Sequence, residues 1–197
     1  FNPALAARAF LMLLWPAWLV RYAPAGAELP LFGSTADVVS AATPLHDMVM
    51  PALPAASPAD MLLGNIGGCI GEVSALALLI GGAILLGRKV ISWRIPAAYL
   101  GTVAFLTLVF YKGEDPVAWM LYSLLGGGVM LGALFMATDY ATSPALPAAQ
   151  LVYGVGCGAL TVLFRYFGLY PEGVTYAILL MNACAWALDK ALPPVRF

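Results

Sequence analysis

Charged residues are scarce in this chain of 197 residues: Asp, Glu, Lys and Arg make up 10% of it, against roughly 25% in soluble domains. Nine basic and ten acidic residues leave a net charge of −1, so the sequence offers no basic face for a nucleic-acid backbone. Hydrophobic residues make up 62%. This composition excludes a soluble globular enzyme, a nucleic-acid binder and a disordered segment, and it predicts an all-α membrane protein.

Cysteine and histidine are also few. Cys69, Cys157 and Cys184 lie far apart in apolar runs, and His46 is the single histidine. Without ligand spacing, this pattern predicts neither a metal site nor a disulfide framework. The sequence opens at Phe1 without a signal-peptide pattern, which we interpret as a fragment that begins inside a larger membrane protein.

Six apolar segments approach the ~20 residues that a helix needs to cross a bilayer. They are Asn2–Tyr22, Met61–Gly87, Trp93–Tyr111, Val117–Thr138, Pro147–Phe167 and Val174–Leu188. With six spans, Arg88, Lys89 and Arg94 fall on the same side as Lys190 and Arg196. Because basic residues favour the cytoplasmic side, we expect the segment Ala23–Asp60 on the outer face.

Two of the predicted spans are interrupted by glycine, at Gly64–Gly71 and at Gly126–Gly128. Glycine-broken spans expose backbone groups to ligands in transporters, although small residues also serve ordinary close packing between helices. Asn65 and Glu72 fall in the first interrupted stretch. Because a carboxylate is costly at membrane depth, Glu72 is a candidate for an ion or flavin path together with Asn65. We expect Glu72 in the first turn of the helix that follows; a neutral or helix-capping glutamate is the alternative.

The segment Ala23–Asp60 contains a short extended stretch that ends at Thr43. Pro44 disfavours a helical conformation at Thr43, and the small residues Ser40, Ala41 and Ala42 leave its hydroxyl accessible. From the residues alone, an ordinary loop threonine explains this pattern.

The pattern Asp37-x-x-Ser40-x-Ala42-Thr43 resembles the flavinylation motif at which a transferase joins FMN to threonine through a phosphoester. With the continuation Pro44-Leu45, it is similar to the D subunits of Rnf-type ion-translocating electron-transport complexes. The remaining chain resembles the same family in six further stretches, which are Phe1–Ala4, Gly64–Gly68, Gly71–Ala77, Ile91–Pro96, Phe135–Pro144 and Tyr170–Leu179.

The resemblance implies a fold of about ten transmembrane helices in two inverted repeats, similar to urea transporters. Residues 1–22 would then be the last helix of the preceding half, 23–60 the outer-face loop, and 61–197 the C-terminal repeat. The implied localisation is the bacterial inner membrane, surrounded by lipid.

The resemblance also implies FMN bound covalently to Thr43, with Asp37, Ser40 and Ala42 as supporting motif residues. Ala41 departs from the glycine often found there, but alanine is also small. Whether a second, non-covalent flavin such as riboflavin also binds stays open. The implied partners are the flavin transferase and the other subunits of the complex, which would carry the ferredoxin and NAD chemistry.

Three alternatives stay open. One is the B subunit of the sodium-pumping NADH:quinone reductase, in which Pro44 is less expected. The second is a urea-transporter-like channel without a redox role, for which the motif from Asp37 to Thr43 would have no use. The third is a purely structural membrane scaffold, which would likewise carry no flavin.

Overall fold

The computed structural model describes residues 2–16, 54, 56–66, 73–113, 115–126, 128–168 and 173–192. Within these residues every regular element is helical and there is no strand. Their bounds are α1 Pro3–Leu14, α2 Pro58–Leu63, α3 Ala75–Gly87, α4 Arg94–Val109, α5 Pro116–Leu125, α6 Val129–Met136, α7 Pro147–Phe167 and α8 Val174–Ala191. The last five residues of α6, Gly132–Met136, form a π-helix.

Helices occur in all six apolar segments, but few of them have the length of a membrane span. In the described part of the chain, only α7 is long and apolar enough to cross a bilayer, or α7 and the bent pair α5–α6 if that pair counts as one span. The number of six spans therefore stays a prediction. The first helix ends at Leu14 because Pro16 disfavours a helical conformation at Trp15, whose φ and ψ are −133° and 57°.

The core lies between α4, α7 and α8. Tyr99 of α4 and Tyr153 of α7 are fully buried there. The Tyr99 hydroxyl lies 2.6 Å from Thr161 Oγ1, and the Tyr153 hydroxyl donates to Asn182 Oδ1 at 2.6 Å. These bonds satisfy both phenol groups in an apolar environment and join the three helices.

Two glycines one turn apart allow α7 to approach α4 closely. A Cβ atom on Gly154 would lie 2.8 Å from the Ile95 carbonyl oxygen, and one on Gly158 would lie 2.9 Å from that of Tyr99. Any side chain at these positions would therefore collide with the α4 backbone. This small-xxx-small spacing is typical of helix contacts in membranes.

Polar contacts at the helix termini define two ends of the bundle. At the first, the Arg88 end, Ser92 Oγ donates to Gln150 Oε1 at 2.9 Å. There the Asp189 carboxylate, at the end of α8, accepts from the N–H groups of Ala145 and Leu146 just before α7.

At the opposite end, the Tyr166 end, Lys112 Nζ donates to the Tyr166 carbonyl oxygen and Trp119 Nε1 donates to the Tyr166 hydroxyl. The helices α4 and α7 therefore run in the same direction, from the Arg88 end to the Tyr166 end, and α8 runs in the opposite direction.

Candidate functional site

Most of the residues predicted for a site lie outside the described residues. This holds for Asp37, Ser40, Ala42 and Thr43, and also for Glu72. Asn65 is described, as are residues 64–66 and 73–74 at the first predicted glycine break and residues 125–126 and 128–129 at the second. The geometry of the two breaks can therefore be built from the described residues.

The first break follows α2, a helix of six residues fixed by a capping box. Ser57 Oγ accepts from the Asp60 N–H at 3.2 Å, and Asp60 Oδ2 accepts from the Ser57 N–H at 3.3 Å and from its hydroxyl at 2.6 Å. The hydrogen bond from the Ser57 side chain lowers the pKa of Asp60 below its ordinary value of 3.8. The carboxylate form of Asp60 therefore stabilises the start of α2.

The end of α2 and the start of α3 meet at Gly64 and Ser74. Gly64 has a φ of +97°, which favours glycine, and a Cβ atom there would lie 3.0 Å from Ser74 Cβ. Ser74 Oγ donates to the Leu62 carbonyl oxygen at 3.1 Å and accepts from the Ala77 N–H at 3.3 Å. One hydroxyl group thus satisfies backbone groups at the end of one helix and at the start of the next.

The helix after the first break begins later than predicted, while Glu72 itself lies outside the described residues. Helix α3 begins at Ala75 because Ser74 is its N-cap, so its first turn does not include residue 72. Asn65, in contrast, lies directly after α2, exposed, with its N–H donating to the Asp60 carbonyl oxygen at 2.9 Å. Its side chain also contributes to the lowered pKa of Asp60.

The second break separates α5 from α6, and Arg165 stabilises it. The two helices are bent by 62° at the glycines, and Gly128 has a φ of +67°. Arg165 of α7 donates to the Ser123 carbonyl oxygen at 2.6 Å and to that of Gly126 at 2.8 Å. A guanidinium group at the C-terminal end of a helix satisfies its last carbonyl groups and interacts favourably with its dipole.

The two broken segments pack against each other. Met61 of α2 is fully buried against Trp119 and Tyr122 of α5, and the Tyr122 hydroxyl donates to the Ala56 carbonyl oxygen at 3.0 Å. A Cβ atom on Gly126 would lie 3.3 Å from Met61 Cε. The structure therefore brings both predicted breaks into one site, which we call the two-break site: α2, α5, the Gly64–Ser74 contact and Arg165.

Helix ends within an apolar protein give this site groups that can bind a ligand. With six and ten residues, α2 and α5 extend over only about 9 and 15 Å, less than the ~30 Å of a hydrocarbon core. Such short helices end with backbone carbonyl and N–H groups, which can contact a cation or a polar ligand. Arg165 is a further residue of this site that was not predicted from the sequence, although a cation inside a predicted span was a signal for it.

Comparison with known proteins matches the whole chain. The model of the NQR2, RnfD, RnfE family matches residues 1–197. The D subunit of the Na(+)-translocating ferredoxin:NAD(+) oxidoreductase complex of Acetobacterium woodii is 45% identical over 192 residues, which are 96% of this chain and 56% of that protein. The D subunit of the proton-translocating ferredoxin:NAD(+) oxidoreductase complex of Clostridium ljungdahlii is 39% identical over 212 residues, which are 100% of this chain and 61% of that protein.

The D subunit of the ion-translocating oxidoreductase complex of Stutzerimonas stutzeri is 36% identical, over 98% of this chain and 62% of its own length. The chain thus spans between about half and two thirds of the length of these relatives. The match extends over the described helices and the segments between them. From this match over all residues, the chain belongs to the NQR2, RnfD, RnfE family.

Proposed function

We propose that the chain is part of a membrane flavoprotein subunit of an ion-translocating oxidoreductase complex. The complex would be of the same type as those to which its relatives belong by name. The single observation that carries the proposal is the motif from Asp37 to Thr43 in a chain that matches this family throughout. In this proposal the subunit passes electrons between ferredoxin-linked and NAD-linked partner subunits, coupled to the transport of Na⁺ or H⁺. The flavin transferase acts as a partner during maturation.

Thr43 is the proposed attachment point for FMN, through a phosphoester with its hydroxyl group. The flavin would supply the electron-transfer chemistry, and the chain would hold it at a fixed position. Asp37, Ser40 and Ala42 support recognition of the motif by the transferase. A second, non-covalent flavin such as riboflavin is a further part of the proposal, between this repeat and the preceding half.

Removal of the Thr43 hydroxyl tests the attachment. We expect the full-length Thr43→Ala protein, co-expressed with the transferase, to fold but to give no flavin fluorescence on a denaturing gel under ultraviolet light. The physical reason is that a phosphoester needs the hydroxyl oxygen, and denaturation removes any flavin that is not covalently bound.

Ser40→Ala is the matched control, because Ser40 is the nearby alternative hydroxyl within the motif. The Ser40→Ala band should still fluoresce. Persistent fluorescence of Thr43→Ala would move the attachment elsewhere and contradict the proposal. A wild-type band without fluorescence would instead favour the channel or the structural scaffold.

The proposal includes a multi-pass placement in the bacterial inner membrane, with six spans in a ten-helix fold of inverted repeats. The loop that carries Thr43 would lie on the outer face. Two features support this orientation: the excess of basic residues at the Arg88 end, and the contact of Ala56 with Tyr122 in the helix that begins near the Tyr166 end. Labelling of single cysteines at Thr35 and Ser92 from each side of the membrane tests it; reversed labelling would contradict it.

Asn65 and Glu72 are proposed to contact the transported ion or a flavin edge near the two-break site. The support is the exposed Asn65 directly after a short helix, together with the cost of an unpaired carboxylate at membrane depth. We expect Glu72→Gln to reduce ion uptake into sealed vesicles much more than electron transfer through the Thr43 flavin. Equal loss of both would assign Glu72 a structural role or a place on the electron path, and no change would contradict the proposal.

The B subunit of the sodium-pumping NADH:quinone reductase is the alternative function, since the family description includes this branch. Pro44 after the threonine favours the Rnf-type subunit. Reduction of NAD⁺ by ferredoxin in the purified complex, without quinone, would distinguish the two.

A further inference from the structure

A cavity of about 650 Å³ lies at the Arg88 end, away from the two-break site. Its wall combines the connection from α3 to α4 with the first turn of α7 and the residues that precede it. The connection contributes Lys89, Ser92 and Arg94, and the opposite wall contributes Ser143 and Gln150. The cavity therefore presents cations, hydroxyl groups and an amide on two facing segments of the chain.

Hydrogen bonds hold the polar wall in place. Ser92 Oγ donates to Gln150 Oε1 at 2.9 Å, and Gln150 Nε2 donates to the Pro144 carbonyl oxygen at 3.1 Å. The N–H of Arg94 reaches Ser92 Oγ at 3.4 Å. Because these bonds join the two walls, the cavity is preorganised rather than formed by flexible side chains.

The charges in the cavity favour an anion. Lys89 and Arg94 line it, and none of the described lining residues is acidic. The nearby carboxylates already accept other hydrogen bonds: Asp189 from Ala145 and Leu146, and Asp139 from Thr142 at 3.1 Å. The N-terminus of α4, a helix of 16 residues, also lies at the cavity, and the positive end of its helix dipole favours a bound anion.

The rim of the cavity favours an anion with an apolar tail. Trp93 is 62% exposed beside Arg94, whose guanidinium carbon lies 5.9 Å from the centre of the Trp93 ring, and Tyr140 is 92% exposed. Aromatic residues with polar edges are typical of membrane–water interfaces. Leu76, Ile80 and Ile84 form an exposed apolar stripe on α3 at a spacing of four residues, which ends one turn before Arg88.

We propose that this cavity binds the phosphodiester headgroup of an anionic phospholipid, with Lys89 and Arg94 on the phosphate and an acyl chain along the stripe of α3. Basic cavities between helices are known binding places for anionic headgroups. The proposal rests on the membrane placement proposed above, but not on the flavin. A failure of lipid binding is therefore distinguishable from a failure of the flavin attachment, which is measured separately on the denaturing gel.

Lys89 allows a sharp test because its φ is +56°, in the left-handed region that favours glycine. Lys89→Gly removes the charge and relieves the backbone at the same time. Loss of lipid binding in this variant therefore cannot be attributed to an unstable fold. Arg94→Gln is the second variant, and Lys190→Gln is the matched control, a cation at the same end that lies over the Trp186 ring and outside the cavity.

The experiment is native mass spectrometry of the full-length protein in detergent, titrated with phosphatidylglycerol or with phosphatidylcholine of the same acyl chains. We expect retention of phosphatidylglycerol in preference to phosphatidylcholine. Lys89→Gly and Arg94→Gln should each weaken it by roughly fivefold, and the double variant by roughly thirtyfold, since each cation near a membrane surface contributes a comparable factor. Lys190→Gln should bind like the wild type.

Three results would overturn the proposal. Equal binding of wild type and the double variant would show that the lipid does not use the cavity. Complete competition by millimolar inorganic phosphate would identify a site for free phosphate instead of a lipid. Release of a partner subunit from the purified complex by Lys89→Gly and Arg94→Gln, with unchanged lipid binding, would make the cavity a protein docking surface.

Discussion

Two regions of the molecule form the hydrogen bonds of their backbone N–H and carbonyl groups in different ways. In the continuous region, α4, α7 and α8, long helices bond internally, and the contacts between them are buried side chains and closely packed glycines. In the broken region, α2, α3, α5 and α6, the helices are shorter, and polar side chains bond to backbone groups near their termini. Ser57, Ser74 and Arg165 each bond to such terminal backbone groups.

The difference shows where each region is vulnerable. The continuous region depends on shape, so it should be sensitive to added volume and tolerant of changed charge. The broken region depends on a few polar side chains, so single polar substitutions should loosen it. A ligand site that uses backbone carbonyl and N–H groups needs helix ends at which these groups are accessible. Such a site is more easily built in the broken region than in the continuous region.

Arg165→Gln should have the largest effect, and it should be confined to the broken region. The substitution removes two charged donors from the Ser123 and Gly126 carbonyl groups, which costs about 3 kcal/mol of unfolding free energy. Thermal unfolding of the full-length protein in detergent measures the loss. Hydrogen exchange should rise across residues 120–126 and stay unchanged across 153–161.

The matched control is Arg88→Gln, which removes an exposed cation at the other end and should change stability by less than ~0.5 kcal/mol. Equal exchange increases in both regions of the Arg165 variant would contradict the separation of the two regions.

Gly158→Ala should have the next largest effect, in the continuous region. Its Cβ would lie 2.7 Å from Thr102 Cβ and 2.9 Å from the Tyr99 carbonyl oxygen, so α4 and α7 must separate, at about 1–3 kcal/mol. Gly101→Ala on α4 is the matched control, because a Cβ there meets no atom within 4 Å. It should be neutral or stabilising by up to about 1 kcal/mol. A ranking of the two variants in the opposite order in the same unfolding assay would refute close packing at Gly158.

Ser57→Ala should have the smallest effect and should depend on pH. The loss of the N-cap costs about 1 kcal/mol at most at neutral pH. The pKa of Asp60 is lowered in the folded protein. The contribution of its carboxylate to folding stability is therefore complete above pH 3.8, and it is lost as the pH falls through the lowered pKa. The difference in melting temperature between the variant and the wild type should therefore be constant above about pH 5 and shrink below pH 3.8. A difference that grows in acid would contradict this linkage.

Local patterns predicted much of the fold. The segment Pro147–Phe167 has the bounds of α7, and the predicted span Trp93–Tyr111 contains α4 within two residues at each end. Both glycine interruptions coincide with breaks between helices, because glycine tolerates the positive φ found at Gly64 and Gly128. Apolar length and glycine position are local properties, so the sequence is informative about them.

Contacts between distant residues were not predictable in this way. Arg165 reaches Ser123 and Gly126 across 42 and 39 residues, and neither carbonyl group has a sequence signature. The start of α3 at Ala75 follows from the double role of Ser74, whose bond to Leu62 depends on the tertiary fold. The flavin attachment at the motif from Asp37 to Thr43 stays a prediction. It rests on the resemblance to a known family motif, and its residues lie outside the part of the chain that the structure describes.

The Asp189 carboxylate has a consequence for the order in which the protein forms. It accepts from the Ala145 N–H, and 44 residues separate the two. During synthesis, the residues that lead into α7 therefore gain this partner only after most of α8 has been made, roughly 2 to 9 s later at ordinary elongation rates. Until then the two N–H groups just before α7 that later donate to this carboxylate must donate to water or to lipid headgroups instead. The formation of α8 therefore completes the hydrogen bonds at the start of α7.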